Sequence, residues 1–184
     1  MSVPNLITLA RIILVPVVFW LLVSGRTEAA FVLFVLAGIS DAVDGFLAKR
    51  FGWTTELGAY LDPLADKLLI VSIFVALGVL GSLPSWLVIA VVSRDFLIVT
   101  AVVLSWVIGH PVRIEPAKVS KANTACQIAL AATVLANTAF DLGLEPFVWM
   151  LIWLTAALTL ASLAVYLHAW IRHMSGYESP GNSL

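Results

Sequence analysis

Asp41-Ala42-Val43-Asp44-Gly45-Phe46-Leu47-Ala48-Lys49 and, eight residues further on, Gly58-Ala59-Tyr60-Leu61-Asp62-Pro63-Leu64-Ala65-Asp66 decide how this chain is read. Ionised carboxylates are among the costliest groups to place in hydrocarbon, so four of them within an apolar chain call for a function. Asp41 and Asp44 are three apart and Asp62 and Asp66 four apart, so on helices each pair projects from one face. Two such faces turned toward each other form a four-carboxylate cage for hard divalent cations. Gly45 and Ala48 continue the stripe of Asp41 and Asp44 and leave a shelf beside the carboxylates where a ligand can approach the backbone. Gly58 offers the same on the facing helix. A purely structural alternative has the small residues serving tight helix packing and the acids paired with Lys49, Arg50 and Lys67. Four acids exceed what packing alone neutralises, and Lys67, directly after Asp66, points to another face.

Around this stretch the chain is apolar: of its 184 residues 61% are hydrophobic and only 11% charged, with a mean hydropathy of +1.05. A soluble domain is about a quarter charged. Apolar stretches near 5–24, 28–48, 62–82, 85–108, 119–139 and 147–170 are each long enough to cross about 30 Å of hydrocarbon. The expectation is an all-α, six-transmembrane-helix bundle forming one domain over 1–174, with a polar tail over 175–184 and no soluble appendage. The first stretch carries Arg11 and lacks a small-residue cleavage site, so it reads as a retained helix rather than a signal peptide. No internal repeat or inverted symmetry is visible in the placement of the charges. Cys126, the single cysteine, reads as packing.

With the N-terminus inside, Lys49, Arg50, Arg113, Lys118 and Arg172 all fall on the cytoplasmic side. The other side receives Arg26 with Glu28, the Gly81-Ser82-Leu83-Pro84 turn, and Asp141 and Glu145. This positive-inside pattern places both termini and the open end of the aspartate pairs in the cytoplasm, in a cytoplasmic (inner) membrane. Trp20, Trp53, Trp86, Trp106, Trp149 and Trp170 fall near helix ends, where an indole suits the water–lipid boundary, and Trp153 reads as packed. Pro16 and Pro63 each remove a backbone donor and bend a helix, the second beside the candidate cavity. His110, His168 and His173 are scattered without metal-ligand spacing and read as interfacial residues.

The full spacing from Asp41 to Asp66 resembles the signature of the CDP-alcohol phosphatidyltransferase family, and the resemblance extends over nearly the whole chain. One position departs: family members usually carry Arg where this chain has Lys49, with Arg50 next. Lysine keeps the charge but lacks the bidentate fork for phosphate oxygens, so either Lys49 acts as a point charge or Arg50 substitutes. The resemblance implies a homodimeric six-helix membrane enzyme with two divalent cations, transferring a phosphatidyl group from CDP-diacylglycerol to an alcohol and releasing CMP. It implies that Asp41, Asp44 and Asp62 bind metal and that Asp66 both touches metal and acts as the general base. By the same implication Asp41, Gly45, Ala48, Lys49, Thr55 and Gly58 line the site of the CDP-linked lipid. Magnesium is the expected ion for an all-oxygen site, with manganese the alternative.

Arg94, Asp95, Lys118 and Lys121 remain beyond the signature. A basic group pointing into the bundle can hold the phosphate of an acceptor, and Arg94 and Lys121 are the candidates. Alternatively Arg94 pairs with an aspartate and the lysines reach the headgroups. Ser93-Arg94-Asp95, the run Val119-Ser120-Lys121-Ala122-Asn123-Thr124, and Pro4-Asn5-Leu6-Ile7-Thr8 with Arg11 resemble the branch of the family that uses phosphatidylglycerol and forms cardiolipin. The branch that uses glycerol 3-phosphate shares much of this. A different class, an ion-coupled transporter, also places aspartates inside a helix bundle. Against it, four acids gather near one end beside a small-residue shelf instead of trailing across the membrane.

Overall fold

The computed structural model describes the backbone at residues 3–51, 56–107 and 118–175, and the side chains at 12–40, 43, 67–101, 104 and 118–172. Every regular element there is a helix: α1 (Val3–Val23), α2 (Thr27–Phe51), α3 (Glu56–Val79), α4 (Ser85–Val107), α5 (Lys118–Phe140) and α6 (Glu145–Ser175). The six expected helices are present. α3 starts at Glu56, ahead of the apolar run that begins at 62, and α6 continues past residue 170. α1 runs from end to end with Pro16 inside it.

Six helices are not the same finding as six crossings. At about 1.5 Å per residue a helix of about 20 residues covers the hydrocarbon thickness, and the shortest here has 21 residues. Composition is more selective. Among the described residues, α6 alone is both long and apolar enough to cross, over Glu145–Arg172 with mean hydropathy 2.1. α1, α2 and α3 contribute the shorter apolar runs Ile12–Val23, Thr27–Ser40 and Lys67–Val79. Polar residues recur on four of the helices: α2 and α3 carry the aspartates at their adjoining ends, α4 carries Arg94-Asp95, and α5 opens with Lys118, Lys121, Asn123 and Gln127. The outward faces nevertheless suit lipid. Ile13, Ile89, Phe96, Trp153 and Leu160 are 61% to 69% exposed, a large apolar surface of the kind that marks membrane or partner contact. Trp153, expected to be packed, is one of these; it lies outside the core, its ring against that of Trp86 at 5.5 Å.

α1 packs against α2 and α3, α5 against α2, α3 and α6, and α4 against α3 and α6. Two of the turns share one design. Gly25 and Gly81 take φ values of +74° and +75°, which glycine adopts without the Cβ penalty. Around them Gly25 N donates to the Leu22 carbonyl and Arg26 N to Leu21, as Gly81 N does to Gly78 and Ser82 N to Leu77. These are the paired bonds of a Schellman helix end. At the α5–α6 turn the Asn137 side chain replaces such a device, accepting from Leu144 N at 2.9 Å and donating to Glu145 Oε1 at 3.2 Å.

These turns close the apolar end of the bundle. Ala30, Phe34 and Ala37 of α2, Ile73, Phe74 and Leu77 of α3, Leu130, Val134 and Leu135 of α5, and Leu151 and Ile152 of α6 are buried there. Toward the other end the same buried stripes change character. On α4 the stripe Leu87, Val91 continues as Arg94 and Asp95; on α5 it begins with Asn123 and Gln127; on α6 it becomes Thr155, Thr159 and Ser162. The periodicity that builds the core thus carries polar groups inward at one level, toward the end where α2 and α3 bear their aspartates.

Candidate active site

Asp41 and Asp44 lie ten and seven residues before the last residue of α2, and Asp62 and Asp66 six and ten residues after the first residue of α3. At about 1.5 Å per residue this puts them about 15, 10, 9 and 15 Å from their adjoining helix ends. Both helices also pack on α1. The side chains of the four aspartates lie outside the described residues, as do those of Ala48 and Lys49, the surroundings of Gly45 and Gly58, and Thr55 as a whole. Among the described residues no group of three His, Cys, Asp or Glu stands together to hold a metal ion. The donor chemistry of the aspartate helices, four carboxylates, is the set that magnesium or manganese takes.

The described part of the site is a polar layer on α3 to α6 centred on Arg94, which is 1% exposed. Its Nη1 donates to Asp95 Oδ1. Its Nη2 donates to Ser120 Oγ of α5 at 2.6 Å and to Ser162 Oγ of α6. The Tyr166 ring covers the guanidinium, 5.8 Å from Cζ to the ring centroid. Asp95 Oδ1 also accepts from Lys67 Nζ of α3 at 2.8 Å. A charge this deep is tolerated only when paired and hydrogen-bonded, and removing one partner of such a pair costs about 3–5 kcal/mol. Both expectations for Arg94 thus meet in one residue: it points into the bundle and it pairs with an aspartate. Lys121 does not join it. Its side chain is exposed, while the preceding Ser120 is the α5 residue that reaches the guanidinium. Lys67, set aside as facing away from Asp66, is the α3 member of the layer.

The sequence reading gives no role to Asn123, Gln127 or Thr159. Thr159 Oγ1 donates to Asn123 Oδ1 at 3.0 Å. Cys126 Sγ lies 3.2 Å from Thr155 Oγ1, consistent with a packing role for the thiol. The side-chain amide nitrogens of Asn123 and Gln127 and the Nε of Arg94 are buried without a hydrogen-bond partner among the described residues. Their height follows from the edge-on contact of Phe31 in α2 with Phe140 in α5, centroids 5.6 Å apart. Gln127 and Asp44 are each thirteen residues, about 20 Å, from that contact along their helices. The signal was available: Ser120, Asn123 and Gln127 recur at helical spacing, on the most polar helix of the six.

Comparison with known proteins bears on this arrangement. The profile of a family described as CDP-alcohol phosphatidyltransferase matches residues 1–161. The chain is 34% identical over 184 residues to the chloroplastic CDP-diacylglycerol–glycerol-3-phosphate 3-phosphatidyltransferase 1 of Oryza sativa subsp. japonica, covering 90% of this chain and 56% of that protein. It is 33% identical over 185 residues to the cardiolipin synthase (CMP-forming) of Homo sapiens, covering 91% and 61%. It is also 33% identical over 177 residues to the CDP-diacylglycerol–glycerol-3-phosphate 3-phosphatidyltransferase of Bacillus subtilis (strain 168), covering 88% and 91%. The chain thus spans little more than half the length of the plant relative and most of the length of the bacterial one. Relatives named as glycerol-3-phosphate 3-phosphatidyltransferases and as cardiolipin synthase stand at nearly equal identity.

Proposed function

This chain belongs to the CDP-alcohol phosphatidyltransferase family, and we propose that it transfers the phosphatidyl group of CDP-diacylglycerol to a glycerol-containing alcohol with release of CMP. The observation that carries this reading is the match of the family profile over residues 1–161, with two carboxylate pairs on the adjoining ends of α2 and α3 at the end of the bundle where the other helices turn polar. In the reaction an acceptor hydroxyl attacks the phosphorus of the phosphatidyl group, the pyrophosphate P–O bond breaks, and CMP departs with the bridging oxygen. Asp66 takes the hydroxyl proton as general base. Asp41, Asp44, Asp62 and Asp66 would hold the divalent cations, magnesium or manganese, whose bound charge offsets that of the pyrophosphate. The shelf of Gly45 and Ala48, with Gly58, Thr55 and the Lys49 charge, receives the cytidine diphosphate. Arg94 and Lys121 serve the acceptor phosphate, Arg94 from within the bundle and Lys121 from its rim.

The preferred acceptor is phosphatidylglycerol, giving cardiolipin; glycerol 3-phosphate is the second reading, and the relatives support both. The experiment is a competition. Purified protein with CDP-diacylglycerol and magnesium is given both acceptors at once, CMP is measured, and the lipid products are identified by mass spectrometry. CMP release with cardiolipin dominant is the expected result. CMP release with phosphatidylglycerol phosphate dominant exchanges the acceptor, and absence of CMP with either returns the protein to a transporter-like reading.

The proposal includes a multi-pass topology with both termini and the aspartate end in the cytoplasm, and a homodimer as the family resemblance implies. Single-cysteine variants in a Cys126→Ala background check the topology. Membrane-impermeant maleimide added to intact cells is expected to label Ser82→Cys and Leu142→Cys and to spare Lys118→Cys, because positive residues collect on the last side. External labelling of Lys118→Cys would overturn the orientation.

A further inference from the structure

We propose that Asp95 is a positioning residue for the acceptor site, fixing the Arg94 guanidinium so that its unpaired Nε faces the acceptor phosphate, and that Lys67 ties this arrangement to α3. The inference rests on the reading that Arg94 meets that phosphate. A guanidinium is a rigid planar fork, so anchoring two of its nitrogens fixes the direction of the third. Here Nη1 is held by Asp95 and Nη2 by Ser120 and Ser162, while Tyr166 covers one face. Nε is buried and has no partner among the described residues. An orphaned donor on a buried cation is costly unless an acceptor takes it up, and an anionic oxygen is the strongest such acceptor.

The sharing of one carboxylate by two cations is the second observation. An isolated Arg–Asp pair is neutral and draws no anion. With Lys67 at 2.8 Å from the same Oδ1, the triad carries one net positive charge, and the cation that supplies the excess follows Asp66 directly in the chain. The ion pair therefore couples the acceptor arginine to the helix that bears the general base. Ser120 and Ser162 add α5 and α6, so the guanidinium is located by all four helices of the polar layer.

Positioning and simple charge balance predict opposite signs for Asp95→Asn. The substitution raises the triad from one net positive charge to two, so if Asp95 only offset charge, the acceptor's KM would fall. If Asp95 positions Arg94, the KM rises about tenfold or more while kcat at saturating acceptor and the KM for CDP-diacylglycerol change little. Lys67→Gln, at a side chain 41% exposed, is the variant least burdened by folding; it removes the net charge and the α3 anchor and is expected to raise the acceptor's KM several-fold. Both are measured on the full chain in detergent, with thermal denaturation alongside, using the acceptor that supports CMP release in the wild type. An acceptor KM unchanged or lowered in Lys67→Gln, or a loss in Asp95→Asn confined to Tm or kcat, overturns the proposal. Arg94→Lys separates this from the reading beneath it. If Arg94→Lys leaves the acceptor's KM unchanged, the acceptor assignment itself fails; if it raises KM while the other two variants do not, only the positioning role fails.

Discussion

Asp44→Asn is expected to remove metal-dependent CMP release while the protein remains folded and extractable. The asparagine amide occupies the same volume but replaces an anionic oxygen donor with a neutral one, and hard divalent cations bind through charged oxygen. Loss of a mere supporting partner of a metal ligand costs about 10–100-fold in affinity or activity, so loss of a ligand is expected to cost at least about 100-fold. Asp41→Asn, on the same α2 face, is expected to behave alike. Folding is spared because the substitution withdraws one charge from a site with four of them, and like charges crowded in low dielectric oppose the folded state. The measurement is initial-rate CMP release across a magnesium titration, with thermal denaturation in parallel. Wild-type turnover in either variant at ordinary magnesium sinks the metal assignment; a loss of folded protein in step with activity makes the carboxylates structural instead.

The helices were legible because apolar runs of about 20 residues and the turns between them are one-dimensional signals. The candidate catalytic pairs were legible for the same reason, since positions three and four apart share a face of one helix whatever the rest of the chain does. What escaped was the layer around Arg94. Its members come from four helices, at Lys67, Asp95, Ser120 and Ser162, and nothing in the spacing within any one helix says that they converge. Lys67 was dismissed because it faces away from Asp66, which is true along α3 and irrelevant to α4. Lys121 stands out because charge is conspicuous in an apolar sequence, yet the α5 residue that reaches the guanidinium is Ser120. The misplacement of Trp153 has a related cause. A mid-helix tryptophan looks like core, but a bundle whose outer surface is apolar accepts indole there equally well. Six helices of crossing length are present, and among the described residues the search by length and composition marks α6 alone as a span.

Asp66→Asn is expected to lower the chemical step about 10²–10⁴-fold, the range that a positioned acid or base contributes, equivalent to about 3–5 kcal/mol of transition-state stabilisation. Asp66 stands one turn beyond Asp62 on α3, and Lys67, its neighbour in the chain, is anchored to Asp95 of α4. Among the four carboxylates it is the one that precedes a member of the polar layer, Lys67, directly in the chain, and a base for the acceptor hydroxyl has to stand near the acceptor. Its effect should differ in kind from that of Asp44. Proton removal matters chiefly in the transition state, so binding of CDP-diacylglycerol should be little altered while the single-turnover rate collapses. A base also titrates: the wild-type rate should fall as acid protonates the carboxylate, and that acid limb should be missing from the residual activity of the asparagine variant. Equilibrium binding of the nucleotide lipid, single-turnover CMP formation and a pH profile together decide the matter. If Asp66→Asn loses nucleotide-lipid binding in proportion to rate and its activity returns at raised magnesium, Asp66 is a metal ligand alone and the base lies elsewhere.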